Sequence, residues 1–115
     1  MSFKIGYKMF NIKNKQLVSL IDDKFQFKEE MIHPDERPLS FLFPTGFYYC
    51  DSLKDLFINQ CVPSEDSTFY IIEITGDFIN GHNKNLTKSF RLLMQLEDEF
   101  VQEEYNKYQN EQNIR

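Results

Sequence analysis

Residues 68–75, with the sequence TFYIIEIT, leave the fewest alternatives for the fold of this chain. They combine β-branched and aromatic residues, which favour extended backbone, and their apolar side chains fall on both faces of a strand. Such a strand belongs in the middle of a sheet, with a helix or a second sheet covering each face. Glu73 is the exception, because a carboxylate there needs an exposed position, a cation or a polar cleft.

The rest of the pattern predicts one α+β domain, with a mainly antiparallel sheet of about five or six strands. Apolar residues at every second position from Phe3 to Met9 predict a half-buried first strand. An aromatic run from Phe47 to Cys50 predicts a buried strand that leads into a short central helix capped by Asp51. Further strands are expected at 17–21, 24–28 and 86–93, the helix at about 52–60, and a surface loop at 29–40.

The C-terminal part predicts an amphipathic helix at about 95–109, with a tail at 110–115 that is frayed and lies outside the domain of residues 1–109. Six acids and two bases between positions 95 and 115 account for −4 of the net charge of −5. This distribution disfavours a basic surface for nucleic acid. The helix carries an apolar stripe, which is expected either to pack on its own sheet or to form a homo-oligomer with a second copy: Leu96, Phe100, Val101, Tyr105 and Tyr108.

The composition, 41% hydrophobic and 27% charged, is that of a folded protein. We expect no membrane segment, and an intracellular, cytoplasmic location in which Cys50 and Cys61 are free thiols. His33 and His82 are the two histidines, both in predicted loops, and the motifs of common metal and nucleotide sites are absent from the sequence. No metal ligand and no cofactor are therefore predicted from the residues.

Three groups of residues are candidates for a site. Glu73 is a candidate catalytic residue, although a cross-strand pair with a cation such as Arg91 explains the same carboxylate. Tyr48 and Tyr49 are candidates for stacking on a ligand, and core packing is the alternative. The charged loop is a candidate partner-binding edge, because long loops often carry function. Its candidate residues are His33, Asp35, Glu36 and Arg37.

Short motifs across residues 3–96 resemble an uncharacterised small-domain family of phages and bacteria, which begins with a Tyr-Lys-x-Phe strand and centres on Gly-Phe-His-x-Cys. The matching motifs here are Gly6-Tyr7-Lys8-x-Phe10, Gly46-Phe47-Tyr48-x-Cys50, Tyr70-x-x-Glu73-x-x-Gly76-Asp77, and Lys84 with Thr87-Lys88. Tyr48 stands where that family has His. The resemblance implies a small domain of phage or viral origin, located in the host cytoplasm, and implies no particular activity.

A second set of residues is similar to the middle of ADP-ribosyltransferase-like domains. Thr45-Gly46-Phe47-Tyr48 precedes the predicted helix, and a strand follows at 69–74. This similarity implies an NAD pocket in which Tyr48 or Tyr49 stacks on the nicotinamide ring. Lys8 occupies the first strand, where such domains carry Arg or His, so the similarity implies a domain that is either active or degenerate.

The sequence therefore favours a small, non-enzymatic module that binds a protein partner through the 29–40 loop or the acidic helix. The alternative is an ADP-ribosyltransferase-like, NAD-binding domain. A cleft lined by Tyr48, Tyr49 and Glu73 would favour the alternative. Side chains buried in separate places would favour the binding module.

Overall fold

Two antiparallel sheets and two helices make up the computed structural model, which describes residues 3–13, 15–18, 28–42 and 45–113. The α+β class and the mainly antiparallel pairing predicted from the sequence are confirmed. The elements are β1 (Lys4–Lys13), β2 (Gln16–Val18), β3 (Glu30–Ile32), β4 (Phe47–Tyr49), α1 (Leu53–Ile58), β5 (Ser67–Ile74), β6 (Phe78–Asn80), β7 (Asn85–Thr87), β8 (Ser89–Gln95) and α2 (Asp98–Asn113).

The larger sheet has the order β2-β1-β5-β8-β3, so the strand with apolar residues on both faces lies in its centre, as predicted. On one face Ile72 and Ile74 belong to a buried cluster with Phe47 and Tyr49 of the smaller sheet. On the other face Phe69 packs with residues of both helices. Each face of β5 is thus covered, by a sheet on one side and by helices on the other.

The smaller sheet has the order β4-β7-β6. The single strand predicted at 86–93 is in fact two strands, β7 in the smaller sheet and β8 in the larger one. That prediction is wrong at Lys88, where the chain leaves one sheet and enters the other. The Lys88 N–H donates to the Asp77 carbonyl at 2.9 Å, and its own carbonyl accepts the His33 N–H at 2.8 Å. Since the residues before and after Lys88 pair in different sheets, no single period describes the whole segment.

Both helices differ from their predicted boundaries. The Ser52 hydroxyl accepts the Asp55 N–H at 3.1 Å, so Ser52 caps α1, whereas the Asp51 carboxylate accepts a bond from Asn85. The C-terminal helix runs from Asp98 to Asn113 rather than over 95–109. Residues 110–113, predicted to be frayed, are therefore helical.

The 29–40 segment contains β3, so its prediction as a loop throughout is wrong. Glu30 pairs with Arg91, and Ile32 pairs with Ser89. These pairs make β3 an edge strand of the larger sheet. Of the strand predicted at 17–21, residues 17 and 18 belong to β2. The rest of it, and the strand predicted at 24–28 up to residue 27, lie outside the described residues.

Candidate functional site

The helices cover only part of the face of the larger sheet on which they lie. Phe57 of α1 packs edge-on against Phe69, with ring centroids 6.3 Å apart, and against Tyr105 of α2 at 5.2 Å. Val101 is almost fully buried in the same cluster. The helices are therefore fastened to one end of the sheet, and the other end of this face is left open.

A row of cross-strand neighbours forms the floor beside the helices. The register places Tyr7 of β1 opposite Ile71 of β5, and Ile71 opposite Met94 of β8. Cross-strand partners share one face of a sheet, so these three side chains lie side by side. Met94 is 53% exposed, which shows that the helices do not cover the end of this row.

The space between this floor and the helices is a cavity of about 790 Å³, which we call the helix groove. Its walls are apolar residues of the two helices, of which Phe100 is 45% exposed. The volume lies in the range of about 300–1,000 Å³ that is typical of ligand sites. The floor and walls are formed by Tyr7, Ile71 and Met94 and by Leu53, Phe57, Phe100 and Tyr108.

The rim of the helix groove is charged. Lys54 of α1 lies 3.5 Å from the Glu111 carboxylate of α2, and Lys107 lies 3.6 Å from Glu104. Glu97, which also lines the groove, makes no ion pair within the part of the chain that the structure describes. Both lysines of the rim already have carboxylate partners, so the rim presents an excess of negative charge.

The apolar stripe predicted for the C-terminal helix packs mostly on its own domain. Val101, Tyr105 and Tyr108 contact the cluster around Phe57, and Tyr108 lies 5.7 Å from the Phe57 ring. Phe100 is the member of the stripe that remains substantially exposed. A homo-oligomer formed through this helix stays a prediction, but most of the stripe is occupied within the chain.

Glu73 forms the cross-strand pair that its position in an apolar strand predicts. Its carboxylate accepts a hydrogen bond from Arg91 Nη2 at 2.6 Å, and the two residues are register partners on β5 and β8. The pair lies in the row next to Tyr7, Ile71 and Met94, on the same face. A structural partner thus accounts for this carboxylate, which is the predicted catalytic candidate.

Tyr48 and Tyr49 point to opposite faces of β4, because successive side chains of a strand alternate. Tyr49 is buried between the two sheets, and burial raises its pKa to about 12. Tyr48 faces the other way, with the Lys84 ammonium 4.9 Å from its ring centroid. Glu73 lies on the helix-covered face of the larger sheet, so the structure does not bring these three side chains into one cleft.

The candidate loop residues interact mainly with one another and with the core. Arg37 donates to Asp35 through its backbone and its guanidinium, with Nη2 2.6 Å from Oδ2. These hydrogen bonds hold the pKa of the Asp35 carboxyl well below its usual range. His33 packs edge-on against Phe47 at 5.0 Å, and burial together with the nearby Lys88 lowers its pKa. Glu36 is exposed.

Lys88 holds this loop on the domain, a role that the sequence did not indicate. Its ammonium donates to the backbone carbonyls of Asp35 at 2.5 Å, of Thr45 at 2.9 Å, and of Arg37. A lysine has three N–H donors, so the three carbonyls use all of them. The sequence around Lys88 does not indicate this role, because the three acceptors are backbone carbonyls more than forty positions away in the chain.

Cys50 is a free, buried thiol beside α1. Its Sγ donates to the Asn83 carbonyl at 3.2 Å, and burial raises its pKa to about 12. Burial also raises the pKa of Cys61. Lys8 is half-buried nearby, where it donates to the Tyr48 carbonyl at 2.5 Å, and desolvation lowers its pKa to about 8.

The low pKa of Lys8 predicts a pH dependence of stability. The folded state loses the Lys8 proton near pH 8 and the unfolded state near pH 10.5, so between these values the unfolded state binds more protons. Stability from this group therefore rises with pH in that window. Lys8 should therefore add about 1 kcal/mol to the unfolding free energy of the wild type between pH 7 and pH 9, and Lys8→Met should lack this increase.

Urea unfolding at each pH measures this difference. Cys50 acts in the opposite direction above pH 9, because its folded pKa is raised and the folded state keeps the proton longer. Between pH 7 and pH 9 the folded thiol stays protonated in both proteins, so its contribution is nearly the same in wild type and in Lys8→Met. If the unfolding free energies of the two proteins changed with pH in parallel, the pH dependence would not come from Lys8.

No group of three or more His, Cys, Asp or Glu side chains with metal-site geometry occurs within residues 3–13, 15–18, 28–42 and 45–113. Among the same residues, no helix has the length and apolar character needed to cross a membrane. No protein-family model matches the chain, and neither does any curated protein or solved structure. The two resemblances found in the sequence stay predictions.

Proposed function

We propose that this chain is a small intracellular, non-enzymatic module that binds a protein partner through the helix groove. The observation that carries the proposal is the apolar face left open beside the helices. Met94 and Phe100, which line the helix groove, are each more than two-fifths exposed. Apolar side chains that are grouped in a groove with a charged rim are typical of interaction sites, whereas single exposed apolar residues are not.

The shape of the helix groove supports a peptide segment as its occupant. The groove follows α2 from Phe100 to Glu111, a length of about 16 Å at about 1.5 Å per residue, and it continues to Glu97 before the helix. It is open along the sheet, so a segment of chain has room to lie in it lengthwise. The 29–40 segment is a weaker candidate, because three of its four candidate residues, His33, Asp35 and Arg37, already make contacts within the domain.

Selection from a random peptide library displayed on phage tests this proposal. We expect the wild-type domain to enrich peptides whose binding is weakened at least about tenfold by Phe100→Ala, since central aromatic residues dominate interface energies. Phe78→Ala is the matched control, because Phe78 is 44% exposed but lies on the smaller sheet. A selection in which no peptide depends on Phe100, or in which both variants weaken binding equally, would overturn the proposal.

A further inference from the structure

We propose that the occupant of the helix groove is an amphipathic α-helix with basic residues beside its apolar stripe, an inference that rests on the function proposed above. Two independent observations point to it. The first is the hydrogen bonding of the groove floor, which decides the conformation of the occupant. The second is the charge of the rim, which decides the composition of its flanks.

Among the described residues, the centre of the floor, formed by Tyr7 and Ile71, offers no free backbone hydrogen bonds to a ligand, because Tyr7 also pairs with Cys50 on the side away from β5. Tyr7 and Ile71 are cross-strand partners within the sheet, and β5 is paired on both sides, with β1 and with β8. The walls are helices, whose backbone groups are paired internally beyond the first turn of α2. A peptide lying there must therefore satisfy its own backbone groups, and an α-helix does so within a single segment.

The residues of the walls also suit a helix. Phe100, Glu104, Tyr108 and Glu111 of α2 line the groove at spacings of three and four, so they follow one side of that helix. A second helix packs beside such a row through apolar residues at the same spacings. The occupant is thus expected to place a stripe of Leu, Ile or Phe between Phe100 and the floor.

Charge selects basic residues on the flanks of the occupant. The two rim lysines, Lys54 and Lys107, are already paired with carboxylates of α2. Within the described part of the chain, Glu97 of the rim makes no ion pair, and neither do three exposed acids close to it in sequence. These three residues are Asp98, Glu99 and Glu103. Lysine or arginine beside the apolar stripe would pair with them and would speed association.

Three synthetic peptides of about 16 residues test the inference, since this length spans the groove. The first has a helical Leu stripe flanked by Lys, the second has Glu in place of Lys, and the third has the first composition in scrambled order. Binding to the wild-type domain is measured by fluorescence anisotropy of labelled peptides. We expect the Lys peptide to bind at least about tenfold more tightly than either other peptide, and to weaken as salt screens the charges.

Charge reversal in the domain provides the matched variants. Glu97→Lys should weaken the Lys peptide and strengthen the Glu peptide, whereas Glu65→Lys, at an exposed acid outside the helix groove, should change neither. Phe100→Ala should weaken the Lys peptide, and Phe78→Ala should not. Circular dichroism of each variant establishes that it is folded.

The outcomes separate this inference from the proposed function. Equal binding of the Lys and Glu peptides, equal binding of the scrambled peptide, or no effect of Glu97→Lys would overturn the basic-helix inference. If library selection still enriches peptides that depend on Phe100, the groove retains its proposed function with an occupant of different chemistry. If it enriches none, the proposed function fails as well.

Discussion

Replacement of Phe57 by Ala is expected to lower the free energy of unfolding by about 3–5 kcal/mol, the range for large-to-small changes at buried aromatic residues. Phe57 is 4% exposed, and its ring contacts Phe69 of the central strand and both Tyr105 and Tyr108 of α2. It is thus the side chain that joins the two helices and the sheet. Its loss leaves a cavity and removes the main apolar contact of α2.

The same change should release α2 from the sheet. This helix is mostly polar, with Val101 as its single fully buried residue among those described, so packing rather than intrinsic propensity holds it. We therefore expect Phe57→Ala to lose helical circular dichroism signal at lower urea concentration than the signal of the core. Peptide binding in the helix groove should be lost together with the helix, because Phe57 and α2 form its walls.

Urea unfolding followed by circular dichroism measures the loss of stability, and amide hydrogen exchange in α2 and in β5 at increasing urea measures which of the two opens first. Ile58→Ala is the control, because Ile58 is the next residue of the same helix but is 41% exposed. Its cost should stay below about 1 kcal/mol, as for partly exposed positions. Equal losses in the two variants would show that the Phe57 ring is not what fastens the helices.

The sequence predicted those parts of the fold that depend on local pattern. Apolar side chains on both faces of residues 68–75 placed β5 in the centre of a sheet with cover on each side, and the structure confirms this. The pairing of Glu73 with Arg91 was predictable for a similar reason, because a carboxylate in such a strand needs a cation opposite. The apolar stripe of α2 indicated an amphipathic helix correctly.

The parts that could not be predicted depend on contacts distant in sequence. The change of sheet at Lys88 leaves no periodic signal, since β7 before it has only three residues, too few to establish a period. A register shift between Ile71 and Ile72 obscures the period of β8 as well. The helix groove depends on how the two helices pack against the face of the larger sheet, and the sequence of neither helix specifies that packing.

Replacement of Lys88 by Met is expected to lower the free energy of unfolding by about 3 kcal/mol, even though methionine keeps much of the apolar length of the side chain. The ammonium donates to the carbonyls of Asp35, Arg37 and Thr45, and each hydrogen bond from a charged donor contributes about 1.5–3 kcal/mol. The variant leaves three carbonyls without this donor. Water can reach the more exposed ones, so the expected loss lies below the sum of three bonds.

Lys88→Met should destabilise the loop that Lys88 holds more than it destabilises the core of the domain. We expect amide hydrogen exchange to accelerate at residues 33–42 and at 45–47, where the loop is held by Lys88, and to stay unchanged in β5. Lys84→Met is the matched control, because Lys84 is exposed and its contact with the Tyr48 ring contributes only about 0.5–1 kcal/mol. Similar exchange in both variants would mean that other contacts, such as that of His33 with Phe47, suffice to hold the loop.

The Lys88 variant also separates the 29–40 loop, which the sequence predicted as a partner-binding surface, from the helix groove, which includes one side of the acidic helix. The loop lies against the smaller sheet, whereas the helix groove lies on the opposite face of the larger sheet. If the groove is the binding site, Lys88→Met should leave the affinity for peptides selected through Phe100 within about twofold of wild type, as expected for distant, independent sites. A large loss of affinity in a variant that remains folded would instead assign binding to the loop that Lys88 holds.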